Sequence, residues 1–136
     1  MSQEKVVGIV LVSHSAEVAA SVAELAKGLA GGAPAVPVAS AGGTEGGGMG
    51  TSAGLISAAA ASVDRGAGVA VLTDLGSAVL TVKALIAEGD ELPDGARLVD
   101  APFVEGAVAA VVTAATGADL DAVEAAATEA YGYRKV

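Results

Sequence analysis

The chain has 136 residues, 53% of them hydrophobic, which is enough for one domain with a packed core and too few for two. Its formal net charge of −9 leaves no basic surface for nucleic acid or an anionic membrane. The absence of cysteine excludes disulfides and thiolate metal sites, and 2% aromatic residues exclude stacking platforms for bases. The N-terminus predicts neither a signal peptide nor a membrane span. We therefore expect a single cytoplasmic domain over residues 1–136.

Hydrophobic patterning along the chain predicts alternating strands and helices. The first strand is a continuous apolar run, as expected for a strand buried on both faces. Pro37 predicts an edge position for the second strand, because proline cannot donate to a ladder. Ser15, Thr51 or Ser52, and Asp119 are predicted helix N-caps. The predicted strands are 6–12, 35–39, 69–73 and 96–99, and the predicted helices are 16–30, a segment from about residue 52 to Gly66, 78–87, 105–116 and 120–131.

This alternation predicts the fold class. Strands that alternate with helices form parallel sheets with right-handed crossovers. We expect an open, mainly parallel α/β sheet of flavodoxin-like type, with strand order 2-1-3-4 and helices on both faces. In such a sheet, ligands bind in the crevice at the carboxyl ends of strands 1 and 3. The topology therefore predicts where the functional residues lie.

Two residues that can perform chemistry follow those two strands. His14 is the only histidine, and Asp74 follows the third strand directly. A neutral imidazole is a nitrogen nucleophile near pH 7, and a carboxylate can fix its tautomer and stabilise the cation formed after attack. We predict that His14 is a nucleophile oriented by Asp74. The alternatives are a loop histidine without a role and an aspartate that caps the third helix.

Small and polar residues around this pair predict contacts to a phosphoryl group or a protein partner. The stretch 40–50 contains six glycines among eleven residues, although a flexible connection is the alternative interpretation. A turn at Gly76 and Ser77 is expected to lie beside Asp74. Neither a Walker A loop, a G-x-G-x-x-G motif, a metal-ligand spacing nor a serine-hydrolase nucleophile elbow is present. The residues predicted to contact the phosphoryl group or a partner are Ser13, Ser15, Gly42, Gly43, Thr44, Gly76 and Ser77.

Several motifs together resemble a known family. The sequence is similar to the mannose-type enzyme IIA family of the phosphoenolpyruvate-dependent phosphotransferase system. Within it, the chain resembles most the branch of phosphotransfer subunits of dihydroxyacetone kinase, and the resemblance extends from Val6 to about Tyr131. The motifs that carry it are GIVLVSHS at residues 8–15, AGGT at 41–44, GTS at 50–52, TDLGSA at 73–78 and APFVEGA at 101–107.

The resemblance implies a function and partners. It implies a homodimeric phosphotransferase that is phosphorylated on His14, with Asp74 as the neighbouring carboxylate. The phosphoryl donor would be the histidine phosphocarrier HPr, and the acceptor would be ADP, with Mg²⁺, on the kinase's nucleotide-binding subunit. No tightly bound cofactor or metal is expected in this chain. The alternatives are an enzyme IIA that passes phosphate to a IIB domain of a mannose-type sugar transporter, and a regulatory binding domain of the same fold.

Overall fold

A four-stranded parallel sheet, with strand order β2-β1-β3-β4, organises the fold. The computed structural model describes residues 5–31 and 36–136. Its strands are β1 (Gly8–Ser13), β2 (Val38–Gly42), β3 (Val69–Thr73) and β4 (Ala96–Leu98). Its helices are α1 (Ala16–Leu29), α2 (Ala53–Val63), α3 (Gly76–Glu88), α4 (Phe103–Ala114) and α5 (Leu120–Glu129), followed by a 3-10 turn at Ala130–Gly132. The predicted α/β class and strand order are confirmed.

Helices cover both faces of this sheet, because alternate side chains of each central strand point to opposite sides. On β1, Ile9 and Leu11 belong to one buried cluster, together with side chains of α1, α4 and α5. The intervening Val10 and Val12 belong to a second cluster, together with side chains of α2 and α3. Every residue of β1 and β3 is buried. This two-sided burial explains why both strands are apolar without alternation.

The register of the central strands brings their carboxyl ends together. Val12 of β1 pairs with Thr73 of β3, and Ser13 pairs with Gly42 of β2. The chain leaves β1 and β3 directly before His14 and Asp74, so these two residues start at adjacent points on one edge of the sheet. The predicted crevice therefore lies between the loops that follow β1, β2 and β3.

Several predicted elements begin elsewhere in the structure. The first strand was predicted from residue 6, but β1 begins at Gly8. The second strand was predicted over residues 35–39, of which residue 35 lies outside the described residues, but β2 begins only after Pro37. The Pro37 carbonyl accepts a hydrogen bond from the Ile9 amide, and the ladder then runs on to Gly42. Gly76 and Ser77 were predicted to form a turn, and they are instead the first two residues of α3.

Helix ends agree better with the sequence patterns. Ser15, Ser52 and Asp119 are N-caps whose side chains accept hydrogen bonds from backbone amides, as predicted. Helix α4 begins two residues earlier than predicted, directly after Pro102, which occupies its N-cap position. Within residues 5–31 and 36–136, no helix has the length and apolar character needed to cross a membrane.

Candidate functional site

The loops after β1 and β3 meet through the side chains of His14 and Asp74. His14 Nδ1 lies 3.0 Å from Asp74 Oδ1, and the His14 backbone amide donates a 3.0 Å hydrogen bond to Asp74 Oδ2. The side chains of His14 and Asp74 are 23% and 16% exposed, so both are partly shielded but open to a partner. The pair that sequence reasoning predicted to face one another is therefore in direct contact.

Asp74 accepts four hydrogen bonds, which fix its charge and its orientation. Besides the two from His14, Ser13 Oγ donates to Oδ2 at 2.8 Å and the Leu75 amide donates to Oδ1 at 2.7 Å. Burial raises the pKa of this carboxyl group, but the hydrogen bonds from the His14 amide, the Ser13 hydroxyl, the His14 ring and the Leu75 amide together outweigh it. The pKa of Asp74 therefore lies below its usual value, and the group is ionised at neutral pH.

An ionised Asp74 determines which ring nitrogen of His14 carries the proton. A carboxylate only accepts hydrogen bonds, so Nδ1 must donate to it. In the neutral ring, the lone pair then belongs to Nε2. Nε2 contacts the hydroxyl of Ser77 in the first turn of α3, and this hydroxyl donates to it. The ring nitrogen that carries the lone pair is therefore Nε2, which faces the N-terminus of α3.

The first turn of α3 has backbone amides without a side-chain cap. Leu75 occupies the N-cap position, so the alternative role of Asp74 as the helix N-cap is wrong. The Ala78 amide donates to the Leu75 carbonyl at 3.0 Å, and this is the first amide of the helix with a described backbone acceptor. Among the hydrogen bonds of the described residues, none uses the amides of Gly76 and Ser77. Such a helix terminus attracts an anion through its exposed N–H groups and its dipole.

Ser13 and Ser15 support the site from behind. Ser13 is 1% exposed, and its hydroxyl donates to Asp74 while accepting the Ser15 amide at 3.1 Å. Ser15 Oγ accepts the Val18 amide at 3.2 Å as the cap of α1. Both hydroxyls are therefore engaged within the protein, and the structure places neither of them at the open Nε2 of His14.

The glycine-rich loop between β2 and α2 is closed on itself and tied to His14. The Gly43 amide donates to the Ser13 carbonyl at 3.1 Å, and the Thr44 amide donates to Gly48 at 2.9 Å. Thr44 Oγ1 accepts the Gly48 amide at 3.0 Å, so these predicted donors are occupied. The Gly50 amide, which belongs to the same predicted glycine-rich stretch, donates to the His14 carbonyl at 3.0 Å. The loop therefore holds the His14 backbone, and no described contact brings it to the ring.

Gly42 is needed for the same assembly on steric grounds. A Cβ atom at this position would lie 2.4 Å from the Ser15 carbonyl oxygen and 2.6 Å from the Ala16 Cα. Only glycine allows the end of β2 to pass so close to the start of α1. The structure thus gives Gly42 a packing role beside the loop that carries His14.

Large apolar side chains are exposed around the His14 loop. Met49 is 79% exposed and precedes Gly50, Leu75 is 63% exposed and follows Asp74, and Leu80 is 68% exposed one turn after Ser77. Thr51 Oγ1 lies 3.1 Å from Thr81 Oγ1, which joins the loop of Met49 to the helix of Leu80. We call these three exposed residues the apolar rim. Sequence reasoning missed it, although Met49 and Leu75 stand out as large apolar residues in polar or glycine-rich turns.

A cavity of about 460 Å³ shares residues with the site. Its lining includes Asp74, Leu75 and Gly76 of the site together with Lys83 and Tyr131. Among residues 5–31 and 36–136, no group of three or more acidic or histidine side chains is arranged to hold a metal ion. The arrangement can therefore present one nucleophilic nitrogen, hydrogen-bond donors and an apolar rim to a partner.

Comparisons with known proteins agree on one family. The family described as "PTS system fructose IIA component", EIIA-man, matches residues 8–124. The chain is 35% identical over 107 residues to "PEP-dependent dihydroxyacetone kinase 2, phosphoryl donor subunit DhaM" of Listeria innocua, covering 78% of this chain and 84% of that protein. It is 38% identical over 120 residues to the DhaM phosphoryl donor subunit of Escherichia coli, covering 86% of this chain. The chain spans a quarter of that longer relative, 25% of its length.

Two solved structures share the fold. A crystal structure of an unknown function protein, EF1359, has 31% sequence identity and a TM-score of 0.82, and the match covers 96% of this chain and 98% of that one. A sigma-54 interaction domain protein from Enterococcus faecalis has a TM-score of 0.66 at 16% identity, covering 96% of this chain and 93% of the other. The second likeness concerns the fold alone.

Proposed function

The chain belongs to the EIIA-man family of phosphotransferase-system IIA components, and on that premise we propose that it is a histidine phosphocarrier. It accepts a phosphoryl group from phospho-HPr on His14 and passes it to ADP, with Mg²⁺, on the nucleotide-binding subunit of a dihydroxyacetone kinase. The names of the two relatives, phosphoryl donor subunits of that kinase, support this branch of the family.

The observation that carries the proposal is the hydrogen bond between His14 Nδ1 and Asp74 Oδ1. It leaves the lone pair on Nε2, which attacks the phosphorus of the donor's phosphohistidine in line. A bond forms between Nε2 and phosphorus while the donor's P–N bond breaks, and the electron pair of that bond stays on the donor imidazole. Asp74 stabilises the positive charge that develops on the His14 ring. Transfer to ADP reverses these roles, with a terminal phosphate oxygen as the attacking atom.

The N-terminus of α3 is well suited to receive the phosphoryl oxygens. The Ser77 hydroxyl already contacts Nε2, and the amides of Gly76 and Ser77 belong to the same first turn. When phosphorus bonds to Nε2, the Ser77 hydroxyl must rotate from the nitrogen to a phosphoryl oxygen. These donors would stabilise negative charge without any metal ion from this chain.

The apolar rim is suited to protein partners. A phosphocarrier must exclude water while its P–N bond is exchanged, and apolar side chains around the nucleophile do this when a partner docks. The net charge of −9 favours partners with basic surfaces and speeds their encounter at low ionic strength. HPr and the kinase subunit would use the same surface in turn, since both must reach Nε2. We also propose that the chain forms a homodimer, which light scattering of the purified protein would test.

The proposal is tested by phosphorylation in a defined mixture. Incubation with phosphoenolpyruvate, enzyme I and HPr should add one phosphate per chain that is lost in acid and survives alkali. His14→Gln should take up none, and its circular dichroism should match that of the parent protein. A His14→Gln protein that is still labelled, or a label that is lost in alkali, contradicts this site.

The acceptor is tested with the labelled protein. Addition of the ADP-loaded nucleotide-binding subunit of dihydroxyacetone kinase should remove the label and produce ATP within the assay. Transfer instead to a IIB protein of a mannose-type transporter would favour the sugar-transport alternative. A labelled protein that gives its phosphate to neither would leave a regulatory binding domain as the better interpretation.

A further inference from the structure

Ser77, His14 and Asp74 form a hydrogen-bonded series of a hydroxyl, an imidazole and a carboxylate. The Ser77 hydroxyl contacts Nε2 of His14, and Nδ1 of the same ring lies 3.0 Å from Asp74 Oδ1. This is the arrangement by which a histidine takes the proton of a serine while a carboxylate holds the ring in the right tautomer. Such triads are recognised by geometry and not by sequence order, so the missing nucleophile elbow does not exclude one here.

The position of Ser77 is suitable for a nucleophile. Its contact with His14 is exposed to solvent, so a small electrophile can reach the hydroxyl. The amides of Gly76 and Ser77 are in the uncapped first turn of α3, where they can stabilise an oxyanion next to the serine. A hydroxyl, an imidazole, a carboxylate and two backbone amides thus lie together where the loop after β1 meets the start of α3.

A second serine at a helix N-terminus provides an internal comparison. Ser52 caps α2 by accepting the Leu55 amide at 3.1 Å, and its hydroxyl donates to Glu45 at 2.9 Å. The ring nitrogens of His14, the only histidine of the sequence, contact Asp74 and Ser77, and neither has a described hydrogen bond to Ser52. Ser52 therefore shares the helix terminus with Ser77 but lacks the imidazole that would activate it.

We propose that Ser77 is an activated nucleophile, with His14 as its general base, and that the unphosphorylated protein hydrolyses activated esters of small carboxylic acids. The Ser77 Oγ attacks the carbonyl carbon while its proton moves to Nε2, and the proton then passes to the leaving alcohol as the ester C–O bond breaks. Water, deprotonated by the same nitrogen, releases the acid and restores the hydroxyl. This activity does not rest on the proposed phosphocarrier function. Phosphorylation of Nε2 would switch it off by removing the base.

A fluorophosphonate probe tests the nucleophile directly. The Ser77 oxygen should bond to phosphorus with loss of fluoride, and peptide mapping should locate one adduct on Ser77 of the full chain. His14→Gln should slow the labelling of Ser77 at least about tenfold, because a general base contributes on the order of 10² or more. Ser52→Ala should be labelled as fast as the parent. Labelling of Ser77 that is equally fast in His14→Gln, or labelling of Ser52 instead, overturns the proposal.

Hydrolysis of p-nitrophenyl acetate tests the complete cycle. A histidine alone can attack this ester, so the informative variant is Ser77→Ala, which keeps the imidazole. We expect Ser77→Ala to lose most of the rate above that of buffer, and an unchanged rate overturns the proposal. Phosphorylation of the parent protein by phosphoenolpyruvate, enzyme I and HPr is measured separately. Failure of the ester assays with normal phosphorylation therefore removes only this inference, and the reverse result removes only the phosphocarrier.

Discussion

The hydroxyl of Ser13 donates a 2.8 Å hydrogen bond to Oδ2 of Asp74, the carboxylate oxygen that does not face the His14 ring. The same hydroxyl accepts the amide of Ser15, so one buried oxygen joins the loop of His14 to its carboxylate. With Oδ2 held in this way, Oδ1 is directed at Nδ1 of His14. Ser13 therefore acts as a positioning residue for Asp74.

Replacing Ser13 should weaken that positioning. In Ser13→Ala, we expect phosphate transfer from phospho-HPr to slow about tenfold, because a hydrogen bond to a charged group contributes about 1.5–3 kcal/mol. The nitrogen NMR signals of His14 should also show a smaller population of the Nδ1-protonated tautomer, which a general loss of stability would not cause. Ser13→Thr, which keeps the hydroxyl, should recover most of the rate.

Ser62→Ala is the matched control for Ser13→Ala. It removes a serine hydroxyl that donates to the Ala59 carbonyl at 2.7 Å on α2, away from His14. Its transfer rate and its NMR spectrum of His14 should be those of the parent. If Ser62→Ala slows transfer as much as Ser13→Ala does, the effect is one of stability and not of positioning.

Neutralising Asp74 should impair transfer more strongly. Asp74→Asn keeps the shape of the side chain but loses the charge that stabilises the cationic ring, so we expect a loss on the order of 100-fold in transfer rate. Asp64→Asn is a suitable control, because the Asp64 carboxylate accepts the Gly66 amide at 3.0 Å after the end of α2, away from His14. Rapid-quench measurement should show a much slower phosphate transfer in Asp74→Asn than in the control variant. Equal losses of transfer rate would contradict the role given to Asp74.

The lowered pKa of Asp74 predicts how stability depends on pH. A carboxyl group with a lower pKa in the folded state stabilises the fold above its unfolded value of about 3.9, and this contribution is lost as the pH falls through the folded value. The difference in free energy of unfolding between the parent and Asp74→Asn should thus have its full size above about pH 5. Urea unfolding should show that this difference between the two proteins decreases below about pH 4. A difference that is constant or grows in acid would contradict the lowered pKa.

Two glycines should respond to alanine in opposite ways. Gly42→Ala places a Cβ 2.4 Å from the Ser15 carbonyl oxygen, so we expect a loss of about 1–3 kcal/mol in free energy of unfolding and slower phosphorylation of His14. Gly28 lies within α1, where a Cβ would meet nothing within 4 Å. Gly28→Ala should therefore stabilise the protein by about 0.5–1 kcal/mol, because alanine is the better helix former. Urea unfolding of both variants tests this pair, and a tolerated Gly42→Ala would refute the close approach.

The sequence predicts the sheet and its central pair of residues because both depend on strong local signals. Continuous apolar runs identify β1 and β3 as buried strands, and residues directly after two adjacent parallel strands must meet. His14 and Asp74 are therefore expected side by side from the sequence alone. The roles of both remain predictions until phosphorylation is measured.

Details that depend on neighbouring backbone could not be predicted in the same way. The periodicity of residues 76–88 does not reveal that α3 starts at Gly76, and only that start places Ser77 at Nε2. The burial of Ser13 and the hydrogen bond from Gly50 to the His14 carbonyl likewise arise from loops far apart in sequence. The sequence pattern of one segment does not show which backbone amide of a distant segment will donate a hydrogen bond to it.

The parallel register that pairs Val12 with Thr73 has a consequence for the newly made chain. His14 leaves the ribosome some sixty residues before its carboxylate and its serine neighbour, and until β3 docks on β1 its imidazole is an ordinary solvated side chain. On the proposed function, we expect His14 to become able to receive phosphate only when β3 has paired with β1. The rate at which a refolding sample is phosphorylated would consequently report the rate at which β3 pairs with β1.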